Sequence, residues 1–169
     1  MEREGLSLLG EQKYMTIATV CADGWPQAST VAYVNERFNM YFLISRTSRK
    51  FKNMTADGRV SIAVRSDVTD PSMIKGLSMS ARSYEVRDEP YRSRILSKLS
   101  TRHPGFFDVK TIDFSTSALF QATPIIVSII DYAQSLGHAD ILTVGADGLV
   151  EMTANQPDNW GPNPAPQLH

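Results

Sequence analysis

The sequence predicts a mainly β chain, an antiparallel barrel with helices inserted into its meander. Three observations carry that expectation. Short runs rich in Val, Ile, Thr and Tyr recur, several alternating apolar with polar residues. Turn pairs such as Asp23-Gly24 separate neighbouring runs. Helical stretches do not alternate with the strands, so the pattern is not that of a parallel sheet. A dinucleotide-binding α/β fold is excluded as well, because Asp23-Gly24-Trp25 offers no Gly-rich turn after the first strand.

In chain order, Leu6, Leu8 and Leu9 give residues 2–13 a loosely helical spacing. A first strand runs from Met15 to Ala22, and the Asp23-Gly24 hairpin returns it as Pro26–Val34, with Pro26 at the first position, where it breaks no ladder bond. Asn35-Glu36-Arg37 turns into a third strand, Phe38–Ser45. A short helix follows and stops near Asp57-Gly58, read as a left-handed cap. Arg59–Arg65 and Gly76–Val86 are the fourth and fifth strands. Asp88-Glu89-Pro90 then opens a helix that reaches about Arg102. From Ser117 to Asp131 the chain is one long strand or two, depending on Thr123-Pro124, and Ala139–Val144 is a last strand. The chain is thus expected to form one domain over 1–155 and a Pro-rich arm over 156–169.

At 169 residues the chain can bury a real core. Seventeen Lys and Arg against eighteen Asp and Glu leave no global field drawing it to nucleic acid or to a membrane surface. Its one cysteine, Cys21, excludes an internal disulfide framework and reads as a buried, inert thiol. The opening Met1-Glu2-Arg3-Glu4 leads into no apolar segment, so the expectation is a soluble, cytoplasmic protein.

Net neutrality makes the local concentration of charge in Ser45-Arg46-Thr47-Ser48-Arg49-Lys50-Phe51-Lys52 more informative. A helix start offers unpaired N–H groups and the positive end of the dipole, and Arg and Lys suit phosphate oxygens. The same stretch also fits a capped helix with a solvated basic face, and the local pattern leaves both readings open. The small residues Ala28, Ser29 and Thr30 keep the second strand low enough for something flat to lie on it. They fit an ordinary strand beside a bulky neighbour equally well.

The usual reactive constellations are missing. His103, His138 and His169 show no metal-ligand spacing, and there is no nucleophile elbow or Walker loop. If the chain is an enzyme, its reactive group is a bound cofactor.

Pro26-x-Ala28-Ser29-Thr30-Val31, the strand Tyr41-Phe42-Leu43-Ile44-Ser45, then Ser48-Arg49-Lys50 with Asn53 and Gly58-Arg59-Val60-Ser61-Ile62 together resemble the pyridoxamine 5'-phosphate oxidase-like, FMN-binding split-barrel family. The likeness runs well over residues 15–86 and more loosely to Gly137-His138. It implies an antiparallel split β-barrel, a homodimer with two FMN sites at the subunit interface, and FMN-dependent oxidoreductase chemistry on a small substrate. By position, Ser48, Arg49 and Lys50 would hold the phosphate, with Asn53 nearby. Ala28, Ser29, Thr30 and Val31 would lie along the ribityl chain and ring, and Leu43, Ile44 and Ser45 would complete the wall. Lys75 and Leu77 would reach the cofactor of the other subunit. The chain lacks the family's second-strand Arg, having Ser29 or a close neighbour there, and also its C-terminal Arg-x-His signature, which argues against vitamin B6 as substrate. A non-enzymatic flavin-binding module, or a barrel binding F420 or haem with His138 as the haem candidate, are the alternatives.

Overall fold

The computed structural model describes residues 2–106, 108–132, 139–145 and 150–153. Helix α1 (Glu2–Glu11) precedes strands β1 (Tyr14–Val20), β2 (Pro26–Ala32), β3 (Val34–Glu36) and β4 (Asn39–Ser45). Helix α2 (Arg49–Ala56) leads to β5 (Arg59–Arg65) and β6 (Lys75–Glu85), and α3 (Glu89–Arg102) to β7 (Ser117–Asp131), β8 (Ala139–Val144) and β9 (Val150–Thr153). All pairings are antiparallel, in the order β2-β1-β5-β6-β7-β4-β3, with β8 on β7 and β9 on β8. The sheet curls into a split barrel, with β2 and β3 at the two ends of this strand order.

Alternation explains the curl. In β1, β5 and β6 every second residue is buried, so Met15, Ile17, Val60, Ile62, Val64, Leu77 and Met79 fill one core while their neighbours face out. Strand β4 is nearly continuous in apolar residues because both its faces are covered. Met40, Phe42 and Ile44 enter the barrel core, whereas Tyr41 belongs to a second cluster under α3 with Ile95, Leu96 and Leu99. Phe51 and Met54 of α2 pack on the barrel core, Phe51 edge-on to Phe120 at 6.0 Å between ring centres. Burying side chains of this size stabilises by about 1.5–3 kcal/mol each.

Several expectations change in detail. The stretch around Thr123-Pro124 is one strand. The register shifts opposite Ser80 and Ala81, so Ile125 has no partner on β6 and is exposed, and the proline sits at the irregularity where a missing N–H is tolerated. Val34, expected to end the second strand, and Asn35-Glu36, expected to turn, instead form the short strand β3, with Arg37 taking the turn at φ 52°. Strand β9 was not expected at all. No left-handed cap ends α2: Asp57 is extended at φ −138° and Gly58 does not take a positive φ. Gly58 is needed for a different reason. A Cβ there would lie 2.9 Å from the Ser83 carbonyl oxygen, where β6 passes close enough for the Ser83 amide to donate to the Gly58 carbonyl at 2.7 Å. His138 and the arm over 156–169 lie outside the described residues.

Candidate functional site

The basic stretch does form a helix start. Ser48 is extended (φ −70°, ψ 149°) and its hydroxyl accepts from the Phe51 amide, as an N-cap should. The neighbouring hydroxyls are also consumed locally. Ser48 Oγ donates to the Ser45 carbonyl at 2.7 Å, and Ser45 Oγ and Thr47 Oγ1 bond each other at 2.8 Å. What stays open is the pair of first-turn amides of Arg49 and Lys50, which have no intrahelical acceptor. The side chains of Arg49, Lys50 and Lys52 have no hydrogen bond or ion pair among the described residues. They cluster at the positive end of α2, so an anion there would be favoured by charge, dipole and N–H direction together.

Arg46 is different. Its guanidinium pairs with Glu85, donates through Nε to the Phe114 carbonyl at 2.9 Å, and lies 5.3 Å from the centre of the Phe51 ring. Burial raises the Glu85 carboxyl, but the hydrogen bonds from Arg46 and Arg87 outweigh it and hold the group below its ordinary value. Arg46 therefore ties β4 to β6, and three of the four cations in the stretch remain for a ligand.

The four predicted residues of β2 do not share a face. Register against β1 turns Ser29 and Val31 inward, opposite Ile17 and Met15, and leaves Ala28 and Thr30 exposed outward. The Ser29 hydroxyl is enclosed and has no partner among the described residues, a polar demand that a ligand atom or an ordered water would answer. Among the described strands β2 pairs only with β1, so its outer main-chain groups also face the opening. On β4, Ile44 is in the barrel core, Leu43 packs on the opposite face against the second cluster, and Ser45 is exposed.

Asn53 is 7% exposed, and its amide nitrogen faces Thr19 Oγ1 at 3.0 Å, Gln27 Oε1 at 3.1 Å and Cys21 Sγ at 3.4 Å. It pins α2 onto the β1–β2 hairpin, close to the anion site but committed to the fold. Gln27 was missed from the sequence, and nothing local marks it, since its partner is 26 residues away. Cys21 is half-buried beside this network, not fully enclosed.

Lys75 is not brought to α2. Its amine lies 3.5 Å from Asp131 and 3.6 Å from Glu4. Ten residues along β6 separate it from Glu85, the partner of Arg46, a span of about 33 Å at strand rise. Leu77, at 2% exposure, is core.

No group of three His, Cys, Asp or Glu is arranged to hold a metal among the described residues, and no described helix is long and apolar enough to cross a membrane. The sequence profile of the family described as Pyridoxamine 5'-phosphate oxidase matches residues 1–124. No curated protein matches the chain. Among solved structures the chain is similar to HutZ, the haem storage protein of Vibrio cholerae (24% identity, TM-score 0.63, covering 73% of this chain and 89% of that one). It is similar also to an F420 reductase (22%, 0.60, 72% and 94%) and to a FAD-binding protein of Mesorhizobium loti (20%, 0.62, 75% and 91%). At these identities the likeness establishes the fold.

Proposed function

The chain belongs to the pyridoxamine 5'-phosphate oxidase family, and from that footing we propose that it is an FMN-binding flavoprotein acting as an oxidoreductase on a small substrate. The observation that carries this is the start of α2, where the side chains of Arg49 and Lys50 have no partner among the described residues and stand beside first-turn amides. That donor set fits a phosphate monoester: a planar fork, a point charge and two N–H groups converge on one end of a helix. Strand β2, with its free edge and its low outward residues Ala28 and Thr30, fits the flat remainder of the cofactor. When bound, the flavin supplies hydride transfer; this chain's residues hold and orient it.

The resemblance supports a homodimer with cofactor sites between protomers. The position of Lys75 agrees with that arrangement. Some 33 Å of strand separates it from the α2 end of its own barrel, so a site using both would take Lys75 from the second copy. Light scattering of the purified protein reports the mass directly, and a monomer would remove the shared site.

The test of the cofactor is the visible spectrum of the protein as purified, followed by release and identification of the chromophore. A two-banded flavin spectrum with FMN released supports the reading. Turnover with NAD(P)H and a panel of acceptors then separates an enzyme from a flavin-binding module. A Soret band would replace FMN with haem, and His138 would be the first ligand to test, because His103 is buried against the Tyr33 carbonyl at 2.8 Å. A released deazaflavin would replace it with F420. A colourless protein that takes up none of these would sink the cofactor reading.

A further inference from the structure

The turn between β4 and α2 makes its polar contacts with the rest of the barrel through one residue. The ladder between β4 and β7 runs to Ser45 opposite Ser117, and the Arg46 amide adds one more bond, to the Thr116 carbonyl at 2.8 Å. Beyond that point the turn is bonded only to itself, by the Ser48 amide to the Ser45 carbonyl at 3.1 Å and by the hydroxyls of Ser45, Thr47 and Ser48. Arg49 and Lys50 give no side-chain bond among the described residues. The Arg46 side chain supplies the missing link. Its guanidinium joins Glu85 at the end of β6, the Phe114 carbonyl ahead of β7, and the ring of Phe51, the third residue of α2. The far end of the helix is held by the same strand, where the Ser83 amide and hydroxyl both donate to the Gly58 carbonyl. Two residues of β6 thus set both ends of α2.

This link is stiff for two reasons. The side chains of Arg46 and Glu85 are only 28% and 12% exposed, so solvent screens their attraction little, and the two Glu85 oxygens are divided between Arg46 and Arg87. A guanidinium also holds Nε and its terminal N–H groups in one plane, so bonding Phe114 and Glu85 together fixes its orientation, which an ammonium cannot do. Hydrogen bonds to a phosphate depend on donor direction, so the first-turn amides and the Arg49 fork gain affinity when their aim is fixed beforehand. We propose that Arg46 is a positioning residue for the anion site: held by Glu85 and Phe114, it sets the direction of the first turn of α2 and so the affinity for the phosphate, without touching the ligand. The inference rests on the reading of α2 as the FMN phosphate site.

The test titrates FMN and riboflavin, the same flavin without its phosphate, into the full chain by fluorescence. Arg46→Lys keeps the charge and loses the fork. It should weaken FMN roughly tenfold and leave riboflavin within about twofold, a selectivity that a merely structural role would not produce. Glu85→Gln keeps the shape and removes the neutralising charge. By Coulomb attraction alone, an uncompensated Arg46 would tighten phosphate binding. Because the pair aims the helix, FMN should instead bind several-fold more weakly. Unchanged FMN affinity in Arg46→Lys, equal losses for FMN and riboflavin, or tighter FMN binding by Glu85→Gln overturns the proposal. Should Arg46→Lys fail to fold, the sign of the Glu85→Gln effect decides alone. A wild-type chain that takes up neither flavin overturns the cofactor reading and this inference with it. A wild type that binds FMN, with Arg46→Lys unimpaired, overturns this inference and leaves the cofactor site standing.

Discussion

Helices α2 and α3 both carry several cations and use them in opposite ways. Along α3, Arg92 pairs with Glu89 and stacks 3.8 Å from the centre of the Phe114 ring, and Arg94 and Lys98 both grip Glu36 of β3. Arg102 gives its guanidinium to the carbonyls of Leu9, Gly10 and Gln12, closing the C-terminal end of α1. On α2, Arg49, Lys50 and Lys52 have no such partners among the described residues. The difference teaches how to sort charges. A cation whose partners are carbonyls and carboxylates of its own fold is spent on architecture, whereas one left unmatched beside open helix amides is available to a ligand.

The largest effect that would sharpen this contrast is on ligand affinity. The Arg49→Ala/Lys50→Ala variant should bind FMN more weakly by about 2–5 kcal/mol, since charged hydrogen bonds are worth roughly 1.5–3 each. Its unfolding midpoint should barely move, because surface residues without partners among the described residues, Arg49 exposed and Lys50 half-buried, change stability by only about 0.5 kcal/mol. An FMN titration that finds affinity intact would remove both residues from the site and return α2 to a solvated cap. Arg102→Met should do the reverse. Leaving the last carbonyls of α1 without their donor should cost about 2 kcal/mol in urea unfolding, with FMN affinity retained. A loss of flavin with no loss of stability there would break the distinction between the two helices.

Asn53 tests the boundary, because it stands on α2 yet behaves like the residues of α3. Asn53→Ala should lower stability by about 1–2 kcal/mol as Thr19 and Gln27 lose a buried donor. It should shift FMN affinity less than the loss of Arg49 and Lys50 does. If flavin binding proves more sensitive than the urea midpoint, Asn53 is a ligand residue after all.

Much of this was legible in the sequence because it is local. Alternation in Arg59–Arg65, the Asp23-Gly24 turn, with Gly24 at φ +84°, and the Asp88 start of α3 each declare themselves within a few residues, whereas Ser45, Thr47 and Ser48 all offered a cap for α2 and the structure selects Ser48. What escaped is set by distant pairing. Nothing around Arg46 announces that Glu85, 39 residues on, will claim it. The role of Gly58 depends on the backbone of Ser83, 25 residues away, and not on its own turn. Strand β3 is three residues long, too short to show a period, and its Asn-Glu content reads as a turn. The faces of Leu43 and Ile44 follow from a second core under α3, which no pattern within β4 reveals.

The smallest effect concerns the charges that α3 spends. Burial raises the Glu36 carboxyl, but hydrogen bonds from Arg94 and Lys98 outweigh that, and its pKa lies below the ordinary 4.5. A group depressed in the folded state adds stability above its unfolded pKa and loses it as pH falls through the folded one. Stability should therefore decline below about pH 4.5, and the decline should be shallower in Glu36→Gln, which cannot titrate. Because Arg94 and Lys98 keep nearly half of their side chains in solvent, although Glu36 is mostly covered, the difference should be small and should shrink further in high salt. Urea midpoints measured from pH 6 to pH 3 at two salt concentrations report both signs at once. Parallel curves for wild type and variant would mean that Arg94 and Lys98 are as uncommitted as Arg49 and Lys50, and pairing would then no longer separate the two helices.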